Sequence, residues 1–202
     1  MTSRPEPRAP ANLAGYEVLV AVCGGIAAYK VCEVVSALVQ GGVGVTVAMT
    51  RAARKFVGVA TFQALTGRRV LTSLWNANDP ADPQHITLTD NADLMLIAPA
   101  TADIIGKIAA GIADDAVTTL VVSTASPVLL APSMNDRMWN HPIVQRNVTT
   151  LKDLGFQWVG PSEGWLACRS VGPGRMAEPA EILDRVGCML QAQPAKATAK
   201  AE

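Results

Sequence analysis

The chain has 202 residues, enough for one domain with a full core; half are hydrophobic and 17% are charged. Lysine plus arginine equals aspartate plus glutamate, so the formal net charge is zero and no basic excess points to nucleic acid or to a membrane surface. No apolar run reaches the roughly 18 residues that span a bilayer. The first 15 residues, MTSRPEPRAPANLAG, are polar and proline-rich with no apolar stretch. They read as a disordered leader and not as a signal peptide, which implies a cytoplasmic, reducing compartment. The four cysteines, at 23, 32, 168 and 188, show no CxxC spacing, and with two histidines few soft metal ligands are available; no metal site is expected.

Tyr16 to Val22 is a near-continuous β-branched run, the mark of a central parallel strand. It ends in Cys23-Gly24-Gly25. A helix follows with Val31, Val34, Val35 and Leu38 at helical spacing, and Gly41-Gly42 stops it. Val43 to Met49 is a second strand, so the opening is a βαβ unit. The glycines let backbone amides approach an anion at a helix N-terminus, although the string CGGIAAYK is not GxGxxG and such tight turns recur in all doubly wound folds, so alone it is a weak phosphate signal. The second strand gives out at Thr50-Arg51. Two short helices, Ala52 to Phe56 and Val59 to Leu65, are expected next, then a long polar loop, WNANDPADPQH, that ends at His85 and leads into the strand Leu94 to Ala98.

After Pro99, Thr101 and Asp103 open another helix, as caps or as ligand contacts. A helix from Asp115 to Thr124 precedes a buried strand ending at Leu130, and APSMNDRMW follows. Asn135 thus sits where a parallel strand gives out, the place where open α/β sheets bind ligands. The competing reading makes Asn135 a helix N-cap and Met138 and Trp139 core anchors. A helix from Pro142 to Leu154 and a strand from Phe156 to Val159 lead to a segment, 160–179, with four glycines and three prolines around Trp165-Leu166-Ala167. It reads as a flap that closes over a substrate. A last helix, Ala180 to Leu190, is expected at the sheet's edge, and residues 192–202 read as a low-complexity, disordered end. The domain proper is therefore 16–191, a single α/β unit with a doubly wound parallel sheet. Three successive strand ends rich in small or hydroxyl residues describe one cofactor cleft along its top.

GGIAAYK at 24–30, His85, PATAD at 99–103, PSMNDRMW at 132–139 and LACRSVGPGRM at 166–176, in that order, resemble the flavin-dependent cysteine decarboxylases over nearly the whole folded part. The resemblance implies a flavodoxin-like fold, FMN as cofactor, and a homo-oligomer, a trimer or dodecamer, with the flavin near a subunit interface. The implied substrate is 4′-phosphopantothenoylcysteine and the product 4′-phosphopantetheine, a step of coenzyme A biosynthesis. The cysteinyl thiol would be oxidised by the flavin, CO2 would leave, and the enethiol would be reduced again. His85 matches the base, Cys168 the acid that completes the reduction, and Asn135 the amide that holds the carboxylate, with Met134 and Arg175 also at the substrate. Gly24, Gly25, Ile26, Thr50, Phe56, Thr101 and Asp103 fall where the family contacts FMN. Gly25 stands where Ser or Thr is common, Asp103 where Asn occurs, and Arg169 where Gly is common. Many bacterial relatives carry a C-terminal synthetase domain, for which 202 residues leave no room. A separate phosphopantothenate–cysteine ligase is therefore an expected partner, unless this chain is one part of a longer protein. The alternatives are a decarboxylase acting on a peptide's C-terminal cysteine, a flavin prenyltransferase, and a non-catalytic phosphatase regulator. The non-acidic tail argues against the last.

Overall fold

A computed structural model of the chain describes residues 13–75, 84–167, 169 and 171–196. A five-stranded parallel sheet forms its centre, in the order β2-β1-β3-β4-β5. The strands are β1 (Glu17–Val22), β2 (Gly44–Met49), β3 (Leu94–Ala100), β4 (Val128–Pro132) and β5 (Gln157–Trp158). Every residue of β3 and β4 is buried, which is why these segments are continuous apolar runs without alternation.

Successive side chains on β1 point to opposite faces. Val18, Val20 and Val22 join one core, built with α1 (Ala28–Gln40) and α8 (Pro179–Gln191). Leu19 and Ala21 join the other, built with α4 (Ala102–Ala109), α5 (Ala116–Ser123) and α7 (Pro142–Asp153). Helix α8 packs on α1 and reaches the central strand β3. The expectation that it lies at the sheet's edge is therefore corrected: Ile182, Leu183, Val186 and Leu190 form a buried stripe at helical spacing, and such a stripe is covered by a sheet face.

Other expectations are refined. The segment at 52–56 is a single 3₁₀ turn, Ala53–Lys55, followed by α2 (Val59–Thr66), which Gly67 ends in the left-handed conformation at φ +67°. Residues 76–83 of the expected long loop lie outside the described residues. The stretch after them is helical, not extended: α3 (Gln84–Asn91) holds His85 in its first turn. The segment 160–179 contains an antiparallel hairpin of β6 (Ser162–Trp165) and β7 (Val171–Arg175). A four-residue helix, α6 (Asp136–Trp139), follows β4.

The amino ends of the strands are tied together by Asp93, which is 1% exposed. Its Oδ2 accepts from Glu17 N–H at 2.8 Å and its Oδ1 from Lys196 N–H at 2.7 Å. Gln193 Nε2 donates to Asp93 C=O, and Tyr16 Oη donates to Gln193 C=O. Residues 193–196, expected to belong to a loose end, are thus anchored. Leu13, expected in the leader, is fully buried. Replacing Asp93 leaves two backbone donors without their acceptor. Asp93→Ala is expected to cost about 3 kcal/mol, read as a lower urea midpoint with unchanged slope; an unchanged midpoint would show that the carboxylate holds nothing.

Candidate functional site

A cavity of about 920 Å³ opens at the carboxyl ends of β1, β2, β3 and β4. It spans the β1/β3 boundary, where the strand order reverses and where such sheets bind ligands. One wall is the loop Cys23–Ala27. Gly24 has no room for a side chain there: a Cβ would lie 2.3 Å from Ala52 Cβ. Gly25 differs, since a Cβ would meet Pro99 Cγ at 3.4 Å and Thr101 Cγ2 at 3.6 Å, ordinary contacts. A Cβ would therefore fit at 25, unlike at 24. The helix that follows, α1, has Ala27 at its N-cap and no side-chain cap. Among the described residues no acceptor is seen for the N–H groups of Gly24, Ile26 and Ala27. An uncapped 13-residue helix with free amides in a glycine loop fits the phosphate of a mononucleotide.

The next three junctions share one device. Thr50 Oγ1 accepts from Ala53 N–H at 3.1 Å, Thr101 Oγ1 from Ile104 N–H at 3.3 Å, and Asn135 Oδ1 from Met138 N–H at 2.7 Å. Thr101 and Asn135 are N-caps, Thr50 makes the same contact across the turn before the 3₁₀ segment, and each lines the cavity. The cap and ligand readings are therefore compatible. Once the side-chain oxygen is engaged by the helix, the hydroxyl keeps its O–H and the asparagine its NH2, both donors. A row of neutral donors suits an electron-rich ligand edge and a carboxylate.

Asp103 lines the cavity with a side chain 74% exposed, 3.8 Å from Lys107. Lys107 also bonds Asp114 at 3.1 Å, and that hydrogen bond, with the neighbouring carboxylates, holds its ammonium above the usual range. Cys23 is buried beneath the loop; burial first, then Asp115 and Asp103, push its thiol upward, so it stays protonated.

The opposite wall is the hairpin. Met134 N–H donates to Gly174 C=O at 2.9 Å, and a Cβ on Gly174, at φ +125°, would lie 2.4 Å from Met134 O. Trp165, Leu166, Ala167, Arg175 and Met176 complete the lining. Arg169 has φ +67°, a conformation that favours glycine, which explains why glycine suits that position. Cys168 lies outside the described residues.

Of the expected site residues, Gly24, Gly25, Ile26, Thr50, Thr101, Asp103, Met134, Asn135 and Arg175 line this one cavity. His85 and Phe56 do not: His85 is half-buried on α3, and Phe56 follows the 3₁₀ turn with 48% exposure. Sequence reasoning missed Lys30, whose side chain is 7% exposed beside the cavity. It ends the very string GGIAAYK, and a lysine in the first turn of α1, next to the buried Val31, was the available signal. His141 only caps α7 through Nδ1. Among the described residues no group of three or more His, Cys, Asp or Glu side chains could hold a metal, and no helix is long and apolar enough to cross a membrane.

The Flavoprotein family matches residues 7–190. The coenzyme A biosynthesis bifunctional protein CoaBC of Bacillus subtilis is 48% identical over 166 residues, 82% of this chain and 41% of that protein. The protein of the same name from Escherichia coli is 43% identical over 173 residues, 86% and 43%. The chain thus spans less than half the length of these relatives. Among solved structures, a cysteine-to-serine variant of PPC decarboxylase complexed with pantothenoylaminoethenethiol superposes with a TM-score of 0.77 at 29% identity, covering 87% of this chain and 98% of that one. The FMN-dependent cysteine decarboxylase SpaF gives 0.76 at 33%, covering 89% and 98%.

The two glycines of the loop are expected to separate in a paired test. Gly24→Ala must displace Ala52 and is expected to abolish flavin uptake, whereas Gly25→Ala should take up flavin within a few-fold of the parent. Flavin fluorescence titration reads both, and equal behaviour of the two would refute the close-approach argument.

Proposed function

This chain belongs to the Flavoprotein family, and on that premise we propose that it is a phosphopantothenoylcysteine decarboxylase. In this reading it is an FMN-dependent carbon–carbon lyase that converts 4′-phosphopantothenoylcysteine into 4′-phosphopantetheine and CO2 in coenzyme A biosynthesis. The observation that carries the proposal is the single cavity that joins the uncapped N-terminus of α1 to the Asn135 turn and the hairpin. The likeness to the CoaBC relatives and to the PPC decarboxylase structure supports it.

FMN, when bound, would supply the two-electron redox chemistry. The amides of Gly24, Ile26 and Ala27 hold its phosphate at the positive end of α1. Thr50 and Thr101 donate their O–H groups, Ile26 is an exposed residue of the loop, and Asp103 stands 3.8 Å from Lys107 with its side chain turned to solvent. Asn135 donates through its NH2 to the substrate carboxylate. A neutral donor orients that group without the tight ion pair that would resist loss of CO2. Met134 and Arg175, on the clasped turn and the hairpin, close the substrate's side.

His85 takes the proton of the substrate thiol, and Cys168 gives a proton to carbon in the final reduction. His85 does not line the cavity of its own chain. We therefore place it in the site of a neighbouring copy, within a homo-oligomer of trimer or dodecamer type. Exposed Ile86 beside it, exposed Phe56, and exposed Tyr29, Met138 and Trp165 at the cavity mouth supply apolar surface for such an interface. The ligase that makes the substrate is a separate protein or the remainder of a longer chain.

The purified protein is expected to be yellow and to release FMN on denaturation. His85→Asn should keep the flavin, yet substrate should no longer bleach it. Asn135→Asp keeps the cap on Met138 N–H, because aspartate caps equally well, but sets an anion against the carboxylate. Turnover should fall by at least about a hundredfold while flavin content and urea midpoint stay. A fall in stability with turnover intact would leave Asn135 as a cap alone. Cys168→Ser should consume substrate once, release CO2 and stop at the enethiol, seen by mass; ordinary 4′-phosphopantetheine from this variant would remove the thiol from the reaction.

A further inference from the structure

We propose that Lys30, Arg175 and Glu178 form a subsite for a phosphate monoester at the hairpin end of the cavity; this rests on the decarboxylase reading above for the identity of the substrate. Lys30 Nζ lies 3.0 Å from each carboxylate oxygen of Glu178, and Arg175 Nη2 pairs with the same carboxylate. The three residues come from three elements: α1, the end of β7 and the N-cap of α8. Lys30 and Arg175 line the cavity, while Glu178 is not among its lining residues. One partly exposed carboxylate therefore bridges two cations of the wall.

Two cations share the one carboxylate of Glu178 in this group. The Lys30 side chain is 93% buried, counted from its 7% exposure, and a buried charge without full compensation is costly. A phosphate monoester, with a charge of about −1.5 to −2 and three acceptor oxygens, is a fitting counterpart. Glu178 N–H donates to Glu181 Oε2 at 2.8 Å in the capping box of α8, a contact of its backbone and not of its carboxylate. Because its carboxylate meets both Lys30 and Arg175, Glu178 acts as a positioning residue that fixes where both cations point. Arginine keeps further N–H donors in a planar fork, and the ammonium has three.

The same chemistry has two sources, the cofactor and the substrate. The amides of the Gly24–Ala27 loop already claim the cofactor's phosphate, so the substrate's is the expected occupant. The test uses FMN-loaded enzyme and compares 4′-phosphopantothenoylcysteine with pantothenoylcysteine for the parent, Lys30→Met and Arg175→Met. Calorimetry with 4′-phosphopantothenate and pantothenate gives binding independent of turnover, and apo-protein titrations with FMN and riboflavin test the other source. Each variant is expected to weaken the phosphorylated compounds roughly tenfold to a hundredfold, with the unphosphorylated ones within about twofold. A selective loss for FMN over riboflavin would still support a phosphate subsite and give it to the cofactor. Equal losses for phosphorylated and unphosphorylated compounds would overturn it and leave a salt bridge that only holds the hairpin. Arg175→Lys keeps the charge and should restore most of the preference. Glu181→Ala opens the α8 cap without touching either cation and should leave the preference unchanged; a matching loss there would also overturn the proposal. A parent enzyme that binds the phosphorylated compounds selectively but turns over neither substrate would sink the decarboxylase reading and spare the subsite.

Discussion

The site depends on one backbone contact, the hydrogen bond from Met134 N–H to Gly174 C=O. It fastens the hairpin to the turn that carries Asn135. The contact is possible only because the strand VGPGR shows almost no side chain to that turn. A Cβ on Gly174 would overlap Met134 O, and one on Gly172 would touch Asp136 Cβ at 3.0 Å. Glycine is costly in a strand because it gives up conformational entropy and packs nothing. Here that cost is accepted for close approach, which brings Arg175 and Met176 to the cavity wall beside Asn135.

The second principle of the site is reuse. Thr50, Thr101 and Asn135 each accept the backbone N–H three residues on, and each lines the cavity. Capping fixes the side chain in one rotamer and decides which of its groups remains for a ligand. Positioning is thereby supplied by local structure, without a dedicated supporting residue. A choice between cap and ligand contact, which the residue types pose, dissolves once one oxygen and one donor are counted separately.

Much of this was legible in the sequence. The strands β1, β3 and β4 stand out because burial on both faces leaves no polar alternation to read. The parallel sheet and the cleft at the strand ends follow from alternating strands and helices, and the flavodoxin-like order from the family resemblance. What escaped was long-range or weakly patterned. Helix α3 reads as loop because ITLTDN is polar, and it is held by burial of Thr89, whose hydroxyl bonds back to His85 C=O. Lys30 and Glu178 are separated by 148 positions, so nothing local announces their pairing. Asp93 looks like one of many loop aspartates, yet it is buried and bonded on both oxygens. The position of α8 was missed for a related reason: a terminal helix is amphipathic whether it covers a face or an edge.

Asp93 ties the amino ends of the strands, whereas the cavity sits at their carboxyl ends, about 20 Å away along a six-residue strand. Chain direction thus divides the molecule into a floor concerned with cohesion and a rim concerned with chemistry. In a saturation survey, floor variants would register as lost abundance with normal specific activity, and rim variants as the reverse. The two phenotypes would sort by which end of a strand a position lies near, more than by its distance along the sequence. The hairpin is the exception to that rule, since its glycines serve the rim through packing alone, and its variants would register in both columns at once.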